Sequence, residues 1–116
     1  MTKPIIGQDI IQYTGLKELE PVQQEIVQII TTENFEKIKR MLKNWIQLRV
    51  LIKEYKTEGK PDKQKKYSVH LQANSATDTI DVDNAQDYDL ARAMHKAFDD
   101  LKERIEHKIH LEGSKK

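Results

Sequence analysis

The stretch that decides the fold is Tyr67–Ile109, YSVHLQANSATDTIDVDNAQDYDLARAMHKAFDDLKERIEHKI. Its first part alternates apolar with polar residues, from Tyr67 to Asn74 and again from Thr79 to Asp83. A period of two is typical of strands that bury one face, and Asn74-Ser75-Ala76 indicates a turn between the two runs. The first part therefore predicts a β-hairpin.

From residue 90 onward the apolar period becomes that of a helix. One stripe extends over five turns, and Asp87 or Asp89 is placed to cap its first turn. The stripe consists of Leu90, Met94, Ala97, Phe98, Leu101, Ile105 and Ile109. We therefore expect one long amphipathic helix.

The residues before Tyr67 add two strands and one helical region. Residues 9–14 are rich in β-branched and aromatic residues and are followed by Gly15, and residues 46–53 alternate again. Between them a helical pattern begins at Pro21 with Val22, Ile26, Ile29 and Ile30 on one face. The pattern changes phase at residues 31–32, which predicts a kinked or split helical region that ends near residue 44.

The predicted fold class is α+β with the order β-α-β-β-β-α. Helices and strands with one apolar face each bury it if both helices pack on one face of a four-stranded sheet. We expect a single domain over residues 1–116, with flexible tails at about 1–7 and 111–116 and a mobile basic loop at 56–66. The residues predicted on the open face of the sheet are Gln47, Arg49, Lys53, Ser68, His70, Gln72, Thr79, Asp81 and Asp83.

The charge distribution is uneven although the net charge is only +1. Residues 36–66 carry eleven basic and four acidic side chains, whereas residues 67–100 carry two basic and seven acidic ones. The chain has no cysteine, no apolar run long enough to span a bilayer and no signal-peptide pattern at its start, so we expect a cytoplasmic protein. A basic centre beside an acidic region favours an oriented encounter with a polyanion.

Signatures of catalysis and of cofactor binding are absent. Gly59-Lys60 lacks the other residues of a phosphate-binding loop, and no GxGxxG, GxSxG or HExxH occurs. Glu103, His107 and His110 have a spacing that could hold Zn²⁺, but solvated residues on an outer helix face are the favoured interpretation. We therefore predict neither an enzyme nor a cofactor, a metal or a small-molecule substrate.

The basic centre predicts contacts with phosphate groups. Contacts with phosphate oxygens need several cationic side chains that are long enough to reach them, and they need no fixed geometry. The candidates are Lys37, Lys39, Arg40, Lys43, Arg49, Lys53, Lys56, Lys60, Lys63, Lys65 and Lys66. Few aromatic residues accompany them in the sequence, which favours structured RNA over single strands. The alternative is a set of ordinary solubilising lysines.

Two segments resemble the ribosome hibernation-promoting factor and ribosome-associated inhibitor family, also called the sigma-54 modulation or S30EA family. They are IQLRVLIKEYK at residues 46–56 and HLQANSATDTIDVDNAQDYDLARAMHKAFDDLKERIEHK at residues 70–108. The acidic entry into the last helix at Gln86-Asp87 and the Asp99-Asp100-Leu101 centre of that helix match the family pattern. The resemblance covers roughly residues 8–109, as in the short form without a C-terminal dimerisation domain.

The resemblance implies a function and further candidate residues. Proteins of this family bind the small ribosomal subunit in the channel for mRNA and tRNA, contact rRNA and silence idle ribosomes. Lys37 lies where the family's first helix is basic, and Arg104 and Lys108 lie where its last helix is basic. Weak self-association remains open. An alternative is a protein-interaction module of the same fold that uses the acidic edge at residues 78–89.

Overall fold

The chain folds as a four-stranded sheet covered on one face by two helices. The computed structural model describes residues 10–42, 46–56, 65–75 and 78–114. The elements are β1 (Ile10–Thr14), α1 (Pro21–Leu42), β2 (Gln47–Lys56), β3 (Lys65–Asn74), β4 (Thr79–Asp87) and α2 (Leu90–Ser114), with a 3₁₀ turn at Leu16–Glu18. The predicted α+β class and element order are confirmed.

The strands lie in the order β1-β2-β3-β4, with β1 parallel to β2 and the other neighbours antiparallel. Parallel neighbours need a crossover connection, and α1 supplies it. The inward side chains of β2 are Leu48, Val50 and Ile52, and each is at most 3% exposed. The alternation in this segment therefore determines which face of the sheet is covered.

Helix α2 lies over β3 and β4 and beside α1. Its predicted stripe is buried from Leu90 to Ile105, but Ile109 is 43% exposed. A helix of 25 residues is about 37 Å long, whereas the ten residues of β3 span about 33 Å. The last turns of α2 therefore extend beyond the sheet.

Helix α1 is one continuous helix and is not split at residues 31–32. Its core face consists of Val27, Ile30, Thr31, Asn34, Phe35 and Ile38, while Val22 is 69% and Ile29 50% exposed. The polar residues Thr31 and Asn34 occupy buried positions of this helix. The apolar residues alone therefore change phase at this point, although the helix is continuous. Thr32 Oγ1 donates to the carbonyl of Gln28 at 2.7 Å, a hydrogen bond that can bend a helix without ending it.

The strands are longer than the sequence predicted. β2 extends to Lys56 and β3 begins at Lys65, so the ends of the predicted loop 56–66 belong to a hairpin, and residues 57–64 lie outside the described residues. β4 continues to Asp87 past an irregularity opposite Val69 and Leu71, where the sequence predicted only an acidic turn. The backbone of α2 is helical as far as Ser114, beyond the predicted start of the tail at 111.

Gly15 ends β1 in a conformation that favours glycine. Its φ is 87°, and a Cβ atom at this position would collide with the backbone carbonyl of Ile52. We expect Gly15→Ala to lower the free energy of unfolding by about 2 kcal/mol or more, measured by urea denaturation. Glu18→Ala, at an exposed position in the adjacent turn, is the control and should change it little. An unchanged midpoint for Gly15→Ala would show that the close approach to β2 is absent.

Candidate nucleic-acid interface

The open face of the sheet carries a row of polar side chains that crosses all four strands. Gln12, Arg49, Gln72 and Asp81 are direct neighbours in the strand register. Arg49 donates to Gln12 Oε1 at 3.4 Å and to Gln72 Oε1 at 3.5 Å, and Gln72 Nε2 donates to Asp81 Oδ1 at 3.0 Å. The row fixes the orientation of the Gln72 amide, with its oxygen toward Arg49.

All nine residues predicted on the open face are exposed or partly exposed there, so this prediction is confirmed. Leu51, the apolar residue of β2 on this side, lies between Thr14 of β1 and His70 of β3. A shallow concavity of about 230 Å³ surrounds it and includes Gln12, Arg49 and Gln72. The concavity therefore has an apolar floor and a polar rim that contains a guanidinium group.

Arg49 and Lys53 are exposed cations on this face. Within the described part of the chain neither forms an ion pair with a carboxylate, since the partners of Arg49 are amide oxygens at long distances. A guanidinium group held by two weak neutral acceptors keeps most of its capacity for an anionic oxygen. Arg49 and Lys53 are therefore available to a polyanion.

On α1, Lys37 and Arg40 are exposed on the side away from the core, and no ion pair to either occurs among the described residues. Lys39 lies 4.0 Å from Glu36. Exposed pairs of this kind contribute little to stability and are readily exchanged for another anion. The second half of α1 therefore presents a cationic surface.

The remaining described candidates have acidic or aromatic neighbours. Lys65 lies 3.9 Å from Glu20 and 3.8 Å from Glu54, and the Lys66 ammonium is 5.8 Å from the centre of the Tyr88 ring. Arg104 pairs with Asp100 at 3.1 Å, and Lys108 pairs with Asp78 at 2.8 Å. Lys43, Lys60, Lys63 and the side chain of Lys56 lie outside the described residues.

The candidates do not form one patch. α1 and α2 both run opposite to β2, so the C-terminal half of α1 lies near the start of β2, with Lys37 and Arg40 on the helix side of the sheet. Lys65 and Lys66 lie at the far end of the hairpin, about 33 Å away along ten strand residues. Arg49 and Lys53 lie on the opposite face. The basic centre of the sequence is thus divided between two faces and two ends.

The acidic edge at residues 78–89 is largely engaged within the fold. Asp87 Oδ2 lies 2.8 Å from Lys96 Nζ and its other oxygen accepts the backbone N–H of Asp89. The Lys96 side chain and then that N–H hold the pKa of Asp87 below its usual range. Asp89 caps α2 by accepting from the N–H of Arg92 at 3.2 Å.

Three residues of the open face and its margin were not among the site candidates. Gln12 contacts Arg49, and Tyr55 and Tyr88 are 47% and 52% exposed. Tyr55 shares the alternation of β2 and could have been assigned to the open face from its spacing. Gln12 and Tyr88 lie near the basic residues because distant segments of the chain pair in the sheet. No pattern in the neighbouring sequence indicates these contacts.

The described residues contain neither a metal-binding cluster nor a membrane-spanning helix. Among the side chains that the structure describes, no group of three His, Asp or Glu residues could hold a metal ion. Glu103 and His107 are exposed on α2, and the His110 side chain lies outside the described set. None of the described helices is long and apolar enough to cross a membrane.

These features define an α+β domain with two helices on one face of a mixed sheet and a polar open face. The crystal structure of the Thermus thermophilus Protein Y N-terminal domain has this fold, with a TM-score of 0.57 and 17% sequence identity over 89% of this chain and 98% of that chain. Protein Y is a protein of the ribosome hibernation and sigma-54 modulation family, so the fold that the sequence resemblance implied is confirmed. No family model and no curated protein sequence matches the chain.

The Asp87 contacts predict a pH-dependent contribution to stability. Because the pKa of Asp87 is lower in the folded than in the unfolded chain, its contribution is present above about pH 4 and disappears as the pH falls through the folded pKa. We expect Asp87→Asn to lower the free energy of unfolding at pH 7, with a smaller difference at about pH 2.5, in urea titrations at both pH values. Asp99→Asn, an exposed carboxylate on α2, should have little effect. A difference that is equal at both pH values would contradict the ionic origin.

Proposed function

We propose that this protein is a ribosome-binding translation silencer that docks on rRNA of the small subunit, in the channel used by mRNA and tRNA. The observation that carries the proposal is the fold shared with the Protein Y N-terminal domain over nearly the whole of both chains. Its biological role would be the silencing of idle ribosomes in the cytoplasm. Docking of this kind needs no catalytic group, cofactor or small-molecule substrate.

The charge distribution supports contact with the rRNA backbone. Lys37 and Arg40 are three residues apart on α1, so they lie on adjacent turns of one exposed face. Cations at this spacing can neutralise neighbouring phosphates and release their counterions. Lys65, Arg104 and Lys108 are secondary candidates, since each must first exchange a carboxylate for a phosphate.

The alternative function, a protein-interaction module that uses the acidic edge, has less support. Asp78 and Asp87 each have a lysine at 2.8 Å, and Asp81 accepts from Gln72. A basic partner would have to displace these internal contacts before it gained new ones. A pull-down that survives RNase treatment and depends on Asp81, Asp83 and Asp87 would favour this alternative.

Sedimentation with purified small subunits tests the proposed function. At about 0.15 M salt the double variant Lys37→Gln/Arg40→Gln should bind roughly 30-fold more weakly, since two hydrogen bonds to phosphate at about 1 kcal/mol each add to about 2 kcal/mol. The logarithm of the binding constant falls linearly with the logarithm of the salt concentration. The variant should show a shallower slope, by about one for each phosphate that it no longer binds.

The matched control removes two positive charges elsewhere, in Lys17→Gln/Lys102→Gln. Lys17 is exposed in the 3₁₀ turn, and Lys102 lies 3.7 Å from Asp99 on α2. This control should bind nearly as the unmodified chain does. Equal weakening of both double variants would show that net charge alone drives the association. Absence of sedimentation at low salt would contradict the proposed function.

A further inference from the structure

Strand pairing brings together cationic and planar side chains that are far apart in the sequence. On the open face of β2, Arg49, Leu51, Lys53 and Tyr55 follow one another at every second position. In the register with β3, His70 lies opposite Leu51 and Lys66 opposite Tyr55. The open face therefore carries a strip in which the cations of β2 alternate with an aliphatic and an aromatic side chain, with His70 beside the aliphatic one.

The strip ends at Tyr88, whose ring lies beneath the Lys66 ammonium. Tyr55 and Tyr88 are the exposed large aromatics of the described chain, at 47% and 52%, whereas Tyr67 is buried in the core. A ring that is about half exposed beside a cation is accessible to a ligand. Its polar edge and apolar face suit a ligand that is itself flat.

The charges of the strip have an asymmetric environment. On the β1 and β2 side are Arg49 and Lys53, neither of which pairs with a carboxylate in the described part of the chain. On the β4 side are Asp81 and Asp83, of which Asp81 lies 3.9 Å from His70. A polyanionic backbone is therefore attracted to β2 and repelled from β4.

The ligand that fits these features is a single strand of nucleic acid. Such strands are bound by a cationic track for the phosphates and exposed rings on which the bases stack. Arg49 and Lys53 lie about 13 Å apart along β2, so a segment of a few nucleotides reaches both. A duplex, with its bases stacked inside, would leave the rings and the apolar floor at Leu51 without contacts.

We propose that the open sheet face binds single-stranded RNA, with the phosphates along Arg49 and Lys53 and the bases directed toward His70, Tyr55 and Tyr88. On the β1 side, Gln12 and Thr14 line the concavity beside Arg49. Their amide and hydroxyl groups can donate to or accept from a ribose 2′-hydroxyl, which favours RNA over DNA. This site lies on the opposite face from Lys37 and Arg40 and goes beyond the proposed function, because it requires no ribosome.

The test is fluorescence anisotropy of a labelled uridine octamer titrated with the full chain. Arg49→Gln and Lys53→Gln should weaken binding and should each lower the salt slope by about 0.7, the value for one phosphate contact with a single strand. Tyr55→Ala should weaken binding about 5- to 150-fold and leave the salt slope unchanged, since stacking releases no counterion. Circular dichroism should show that all variants remain folded.

One control variant and two control ligands test where the RNA binds and whether it must be single-stranded. Lys102→Gln, on the helical side of the molecule, should bind the octamer as the unmodified chain does. The deoxyuridine octamer and a self-complementary RNA duplex should both bind more weakly. Absence of octamer binding, or equal weakening with Lys102→Gln, would overturn the sheet-face site, and equal affinity for the DNA octamer would overturn its assignment to RNA. Sedimentation with small subunits in the absence of octamer binding would leave the proposed function intact.

Discussion

The structure depends on the pairing of β2 with a strand on each side. Residues 47–51 pair with β1 in parallel and residues 47–56 pair with β3 in antiparallel. Since side chains alternate along a strand, this single register buries Leu48, Val50 and Ile52 beneath the helices and exposes Arg49 and Lys53 on the other face. A shift by one residue would bury a guanidinium group and expose the core. The same strand register therefore determines both the buried core residues of β2 and its exposed cations.

The two faces of the sheet have different surroundings. On the helical face, apolar packing is nearly complete, and several basic groups of α2 pair with nearby acids, as Lys96 does with Asp87 and Arg104 with Asp100. On the open face, polar side chains form a row across four strands, and the partners of Arg49 among the described residues are neutral amide oxygens. Rigid strands thus position the open-face cations, whereas Lys37 and Arg40 depend on an exposed helix face. These two settings suit two different contacts with RNA.

The fold was predictable wherever the buried face was wholly apolar. The alternation of β2 and β3 and the stripe of α2 identified their elements and the face each one buries. α1 was harder because Thr31 and Asn34 occupy buried positions, so a continuous helix gave a broken pattern. The extension of β4 to Asp87 was also missed, since its polar residues pair with β3 past an irregularity that no local pattern indicates.

The candidate site was predictable in residue type but not in arrangement. Composition and spacing pointed to the cationic side chains, but their ion pairs depend on contacts between distant segments, such as those of Lys65 with Glu20 and Lys108 with Asp78. The planar groups of the open face were not connected with the basic residues, because Tyr55 and His70 meet only through strand register. Long-range pairing, which the local sequence does not encode visibly, therefore decides which charges remain available.

We propose that this domain binds the small ribosomal subunit through its cationic surfaces, and cryo-electron microscopy of small subunits incubated with the protein would show the contact. We expect density for the whole domain in the channel for mRNA and tRNA, with the exposed side of α1 around Lys37 and Arg40 against the rRNA backbone. Density that places the acidic edge of β4 against a ribosomal protein, or subunits without bound domain at low salt, would contradict it.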